Sequence, residues 1–401
     1  MKYHRTLLIV LCLLIFTSYA PAQANKDNDP ELAQALEFIR TGRHLNALPL
    51  LEKAAPRYPN DAEVQAHFGV AILLNSVTVK DEEQRRKEFV RGSEILRKAK
   101  KLGTENVTAL HFLDKIEAGM QVDVGFSTSN KDVEDAIREG ESFFGRGEYE
   151  KAFTAYKRAY DLDPENYEAA VFAGDCYYSL KRYKESEAWF AKAVSIDKNN
   201  EVAYRFWGDA LLYQKKIPEA VEKFADAIIA EPDSRLAWGR FWETVREHAP
   251  RKSSPFISAP GSEESDSYLI VIDPKLLKAD DGTANWASFT QTRERQKKDF
   301  EKAANGRKFA PTVSEDVQAL KSVAVAVNLQ LKNKKIVKLD PYLENLLKLN
   351  ELDLLDAYVI LYQHNGNESP EYQEYRQKNW HKLRQFLVEY IAGFKPVDRS
   401  A

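Results

Sequence analysis

Residues 133–166 read VEDAIREGESFFGRGEYEKAFTAYKRAYDLDPEN, residues 167–200 read YEAAVFAGDCYYSLKRYKESEAWFAKAVSIDKNN, and residues 201–234 read EVAYRFWGDALLYQKKIPEAVEKFADAIIAEPDS. Stacked as three lines of 34 residues, they share their columns. Gly140, Gly174 and Gly208 form one, and Ala159, Ala193 and Ala227 another. Tyr156, Phe190 and Phe224 make an aromatic column, and Pro164, Lys198 and Pro232 close each line. A period of this length predicts a solenoid of helix pairs, each burying its apolar face against the next. The glycine marks where two helices approach too closely for a side chain. Ala152, Ser186 and Ala220 are the small partners in the second helix.

The run Glu139-Gly140-x-x-Phe143, then Ala152-x-x-x-Tyr156-x-x-Ala159 and Pro164, resembles the tetratricopeptide repeat. That resemblance implies an all-α, superhelical solenoid that binds other proteins through a concave face lined by the first helix of each repeat. On that face it implies Ile137, Glu141 and Phe144, then Val171, Asp175 and Tyr178, then Arg205, Asp209 and Leu212. The candidate peptide-binding groove is therefore Glu141, Phe144, Asp175, Tyr178, Arg205, Asp209 and Leu212. Its acids suit an extended or helical partner with basic and apolar side chains. The alternative is that Glu141, Asp175 and Asp209 serve local hydrogen bonding only. A groove that clamps an acidic chaperone tail would need Lys, Arg and Asn, and apart from Arg205 this face is acidic.

Working outward, residues 28–119 read as a divergent version of the same repeat. Ala47, Leu51, Ala54 and Pro59 mirror the spacing of Ala152, Tyr156, Ala159 and Pro164. Gly69 stands at the next packing position, and the pattern resumes at Gly92, Leu96 and Ala99. The delay implies a charged insertion of about 11 residues between Ser76 and Phe89. Thr108 to Ala118 reads as a further helix. Gly125 and its Ser-Thr-Ser neighbours break the period as a connector. The regular array occupies 133–249, with a capping helix at Trp238, Phe241 and Trp242. Residues 250–266 form a Ser/Pro/Gly-rich linker, and 267–396 read as a helical C-terminal domain of its own. In it, Trp286, Phe289 and Phe300 mark one helix, and Ser314 is expected to cap the next. Asp340-Pro341 opens a third, Leu352–Tyr362 supplies a central one and Ser369-Pro370 starts the last.

The first 24 residues resemble an export signal: Lys2 and Arg5, an apolar run from Leu7 to Phe16, then Ala22-Gln23-Ala24. Its removal takes away two bases and no acid, moving the formal charge from −3 to about −5. Such a balance does not favour nucleic acid, whose phosphates demand concentrated Lys and Arg. The apolar run falls short of the about 20 residues a bilayer span needs, the alternative being an uncleaved anchor. The expected location is periplasmic or secreted, with no membrane span after cleavage. Only Cys176 remains, so neither a disulfide within the chain nor a thiolate metal site can form.

No His-Glu-x-x-His, phosphate-binding glycine loop or Gly-x-Ser-x-Gly elbow occurs. No two of the histidines beyond residue 24 stand at helical ligand spacing, so no metal or cofactor is expected. The reading is a non-catalytic protein- or peptide-binding scaffold of the cell envelope or exterior. Two alternatives remain: a site in the C-terminal helices around Trp286, His364 or His381, and self-assembly through Trp238, Trp242 and Trp380.

Overall fold

A computed structural model describes residues 26–117, 128, 130–248, 257–259, 272–303, 309–362 and 370–395. The regular elements among them are helical, and they fall into two compact units. The expected signal segment, the Gly125 connector, most of the linker, residues 268–271 and His364 lie outside the described residues.

The first unit holds α1 (Pro30–Arg40), α2 (His44–Ala54), α3 (Ala62–Thr78), α4 (Glu82–Lys101) and α5 (Val107–Glu117). Asp29 caps α1 by accepting from the amides of Glu31 and Leu32, and Arg57 and the Tyr58 hydroxyl hold it there. Ala47, Leu51 and Ala54 lie in the core beside Leu32 and Ile72. The α3 and α4 backbones cross at two glycines. A Cβ on Gly69 would stand 2.5 Å from Leu96 Cδ2, and one on Gly92 would stand 2.9 Å from Leu73 Cδ2. The expected insertion is absorbed as helix: α3 has 17 residues and α4 has 20. Only Val79 to Asp81 separates them, and Asp81 caps α4 through the Gln84 amide.

The second unit opens with three helix pairs. They are α6 (Lys131–Phe144) with α7 (Tyr149–Leu162), α8 (Tyr167–Ser179) with α9 (Tyr183–Ile196), and α10 (Glu201–Tyr213) with α11 (Ile217–Ala230). Then comes α12 (Arg235–His248). Within each pair the glycine of the first helix meets the ring of the second. A Cβ would lie 2.4 Å from Tyr156 at Gly140, 2.6 Å from Phe190 at Gly174 and 2.5 Å from Phe224 at Gly208. Ala152, Ser186 and Ala220 have no exposed surface, as their column requires. The turn inside each pair uses one left-handed residue in the same register: Gly147 (φ 79°), Lys181 (62°) and Lys215 (61°). The next amide reaches back to close the turn, Arg182 N to Tyr177 O at 2.8 Å and Lys216 N to Leu211 O at 3.0 Å.

The remaining helices are α13 (Ala287–Ala303), α14 (Val313–Lys332), α15 (Pro341–Glu351), α16 (Leu355–Tyr362) and α17 (Pro370–Gln385). The last continues as a π-helical stretch over Phe386–Ile391. Ser314 is not the cap of α14. Thr312 accepts from the Glu315 amide while Glu315 accepts from the Thr312 amide, which leaves Ser314 inside the first turn.

The helices beyond the linker do not close a core of their own. One apolar cluster runs from Phe224 and Ile228 of α11 through Phe241 of α12 to Leu320, Leu346, Ile360, Leu383 and Phe386. Every residue of α11 from Ala220 to Ala230 is buried. The Tyr372 hydroxyl donates to Ile229 O at 2.7 Å, and the Arg376 guanidinium donates to Ala230 O, so α17 satisfies carbonyls at the end of α11. Trp380 Nε1 and Arg384 donate to the fully buried Asp226. The expected separate domain is thus one wall of the last repeat. The array is closed by α17 as well as by α12.

Candidate functional site

The first helices of the array present one carboxylate column. Glu141 on α6, Asp175 on α8 and Asp209 on α10 recur at 34 residues, and Glu243 on α12 continues the column at the same spacing. Glu243 stands beside Trp242, which occupies the glycine position, so the repeat pattern lapses where the column does not.

The rungs are not equivalent. Glu141 Oε1 accepts the Tyr156 hydroxyl at 2.7 Å. Arg240 of α12 donates from Nε to Asp209 Oδ1 at 2.7 Å and pairs with Glu243 as well. Arg240 thereby bridges the third and fourth rungs. Among the described residues Asp175 has neither a hydrogen bond nor an ion pair.

Their protonation follows from this setting. Glu141 and Asp175 touch solvent, yet the helices on either side crowd the carboxyls themselves. Burial pushes Glu141 up to about 7, offset only in part by the Tyr156 hydrogen bond. Burial likewise pushes Asp175 up to about 7, helped by repulsion from Glu141 and Asp209 and opposed by Arg205. Asp209 is also raised, its burial outweighing the nearby Arg240. The column therefore carries less than its formal charge near neutrality.

The other expected residues divide between groove surface and local packing. Arg205 is held by Glu201 at 2.9 Å and lies 4.7 Å over the Phe206 ring. Phe144 packs edge-on against Tyr149 at 5.1 Å. Tyr178 meets Tyr183 and Tyr213 at 5.6 and 5.7 Å, and those two rings stack on each other at 4.9 Å. Tyr213 is 61% exposed, so this aromatic cluster has a free surface. Leu212 and Tyr213 line a cavity of about 550 Å³ with Ile217, Arg240, Thr244 and His248. Arg240 and Tyr213 are the residues that sequence reasoning misses. Tyr213 follows the aromatic/apolar column by one residue, and Arg240 lies on the helix read only as a cap.

A family model described as tetratricopeptide repeat matches residues 137–201. Residues 137–201 are tetratricopeptide repeat. No curated protein matches the chain. Among solved structures, it is similar to the first repeat domain of Spaghetti (RPAP3) bound to the HSP90 peptide SRMEEVD. The identity is 22% and the TM-score 0.29, over 31% of this chain and 98% of that one. The Arabidopsis OM64 repeat domain is 25% identical at a TM-score of 0.28, over 29% and 95%. TTC0263 of Thermus thermophilus is 18% identical at a TM-score of 0.26, over 54% and 97%.

Outside the candidate groove, several residues named from the sequence have internal partners. Trp238 Nε1 donates to Pro232 O at 2.7 Å, and its ring packs on Trp242 and Tyr362. Trp380 is spent on Asp226, while His381 is exposed. Trp286 is fully buried. Cys176 is buried and its thiol is pushed up, so it is poorly placed to act as a thiolate. Among the described residues no group of three or more His, Cys, Asp or Glu is arranged for a metal ion. No described helix is long and apolar enough to cross a membrane.

Proposed function

We propose that this chain is a non-catalytic scaffold that binds a protein or peptide segment across the first-helix face of its tetratricopeptide array, in the cell envelope or outside the cell. The observation that carries this reading is the opposite treatment of the two faces. The outer face of α11 is covered by α17, whereas the first-helix face keeps a tyrosine cluster and the carboxylates Glu141 and Asp175 in contact with solvent. Helices that stack only on their neighbours hold this face in a fixed shape, so binding orders little of the protein. A partner segment with apolar side chains would pack against Phe144, Tyr178 and Leu212, and basic side chains would meet the acids. The export reading rests on Lys2, Arg5, the apolar run and Ala22-Gln23-Ala24.

The test places a photo-crosslinking residue at Tyr213, on the groove, or at Val325 of α14, which is 67% exposed and distant from it in the chain. The chain is expressed in its own cells, and both cell fractions and crosslinked products are identified. The expected result is a defined partner captured from position 213 in the envelope or external fraction. Capture from position 325 alone would move the binding surface to the C-terminal helices. Recovery of the protein only from the cytosol would overturn the location.

A further inference from the structure

The carboxylate column contains one member whose chemistry is incomplete. Glu141 has the Tyr156 hydroxyl, and Asp209 and Glu243 share Arg240. Asp175 lies between them without a hydrogen bond or ion pair among the described residues. The nearest cation that acts on it, Arg205, is already bonded to Glu201 and stacked on Phe206. A crowded carboxylate with no partner is costly to ionise. The cost is visible in its displacement to about 7.

We infer, on the reading of this face as a peptide site, that Asp175 is the subsite for a single cationic side chain, lysine or arginine, of the bound segment. One cation is the right count because Arg240 already pairs with Asp209 and Glu243, and Glu141 has the Tyr156 hydroxyl. An organic cation suits the place better than a metal ion, since the described residues bring no second and third ligand to Asp175. Tyr178 stands one turn further along α8, near enough to feel the Asp175 charge. The aromatic cluster of Tyr178, Tyr183 and Tyr213 would then take the apolar residue next to the cation.

Binding at Asp175 is coupled to proton release, because the cation selects the ionised carboxylate. The groups that set this titration are Glu141 from α6 and Arg205 and Asp209 from α10, and Tyr156 from α7 with Cys176 and Tyr178 of α8 itself also feel its charge. Glu141 and Asp209 hold the proton on Asp175, and Arg205 favours its loss. A carboxyl titrating at about 7 implies affinity rising about tenfold from pH 6 to pH 8.

The experiment uses the chain from residue 25 onward against a library of decapeptides whose central residue is Lys, Arg, Gln or Glu. The probes are the native protein, Asp175→Asn, Asp209→Asn and Tyr213→Ala. Asparagine keeps the shape and removes the charge, and circular dichroism checks that each variant is folded. The expected result is enrichment of central Lys or Arg by the native chain, with affinity rising about tenfold between pH 6 and pH 8. Asp175→Asn should lose both the basic preference and the pH dependence while Asp209→Asn keeps them. If Asp175→Asn selects the same basic peptides with the same affinity, the subsite is elsewhere. The groove reading then stands only if Tyr213→Ala still weakens binding. If the native chain selects no peptide, or Tyr213→Ala changes nothing, the groove reading fails and the subsite with it.

Discussion

On the outer face of the third repeat, Asp226 is fully buried and one of its oxygens accepts three hydrogen bonds. The donors are Trp380 Nε1 at 2.9 Å, Arg384 Nε at 2.8 Å and Arg384 Nη2 at 2.6 Å, with Lys223 also 3.5 Å from the carboxylate. On the first-helix face Asp175 has no such bond. Both aspartates come from the same kind of helix pair and both are crowded by their neighbours. One oxygen of Asp226 is satisfied by the chain itself, and the other, without a hydrogen bond, has the Lys223 ammonium 3.5 Å away. Asp175 is left for something outside. It keeps contact with solvent, so water or a partner's donor can reach it, whereas Asp226 is closed off by the chain. The fold therefore sets a covered seam against the solvent-facing column proposed as the groove, and each can be perturbed without the other.

The largest effect is expected at the seam. Arg384→Ala removes a partner from a carboxylate with no exposed surface and should destabilise the second unit by about 3 kcal/mol. Urea unfolding followed by circular dichroism would measure it. Changing both members, Asp226→Asn with Arg384→Leu, should recover part of the loss, because the buried carboxylate is gone and Lys223 keeps its place over the Trp207 ring. If Arg384→Ala costs less than about 1 kcal/mol, the seam is a loose contact and the contrast with the groove collapses.

The groove should reveal itself through pH. Glu141 and Asp175 titrate at about 7 in the folded chain, against ordinary values of 4.5 and 3.8. Raised carboxyls bind more protons when folded than when unfolded. Their contribution is thus fully present in acid and is lost as pH rises through the folded value. Stability should fall by about 2 kcal/mol between pH 5 and pH 8, a figure discounted because both groups still touch water. The variant Glu141→Gln/Asp175→Asn should flatten that slope and be the more stable protein at pH 8. A native chain with no slope in this window would mean that the carboxyls are ionised and solvated, and the groove open rather than crowded.

The seam was not legible in the sequence, and the reason is physical. The groove follows from a period: the glycine, aromatic and acidic columns recur because each repeat packs against the next in the same way. Asp226 and Arg384 are 158 residues apart, and nothing periodic links them. Asp226 reads as an ordinary acid on an amphipathic helix until α17 covers it. Glu243 illustrates the intermediate case, since its column continues although Trp242 has displaced the glycine that defines the repeat. Individual bonds lie beyond a period altogether. It places Glu141, Asp175 and Asp209 alike, while only coordinates show that Tyr156 and Arg240 serve two of them.

A sharper version of the comparison lies within a single helix. Gly174 and Asp175 are adjacent on α8, yet one faces Phe190 and the other the groove. Gly174→Ala places a Cβ 2.6 Å from a fully buried ring that cannot swing aside. Alanine's better helix propensity returns under 1 kcal/mol, while overpacking costs about 1–3. A net loss of about 1–2 kcal/mol is expected by urea unfolding. Asp175→Asn next to it should lose nothing at pH 7. Equal losses at the two positions would show that α8 has no tolerant face.

The smallest effect concerns the rim of the groove. The left-handed turn residue is glycine in the first repeat and lysine in the next two, at Lys181 and Lys215. A residue with a Cβ pays about 1 kcal/mol for that conformation, whereas glycine pays mainly through the freedom of its unfolded chain. Lys215→Gly should therefore raise stability by about 0.5 kcal/mol, readable as a small shift in the urea midpoint. Lys215 also lines the cavity beside Tyr213 and Arg240. A gain in stability accompanied by weaker partner crosslinking at position 213 would show that the strained lysine is kept for the groove. If stability rises with no change in capture, the lysine belongs to the turn alone, and the receptive surface stops at Tyr213.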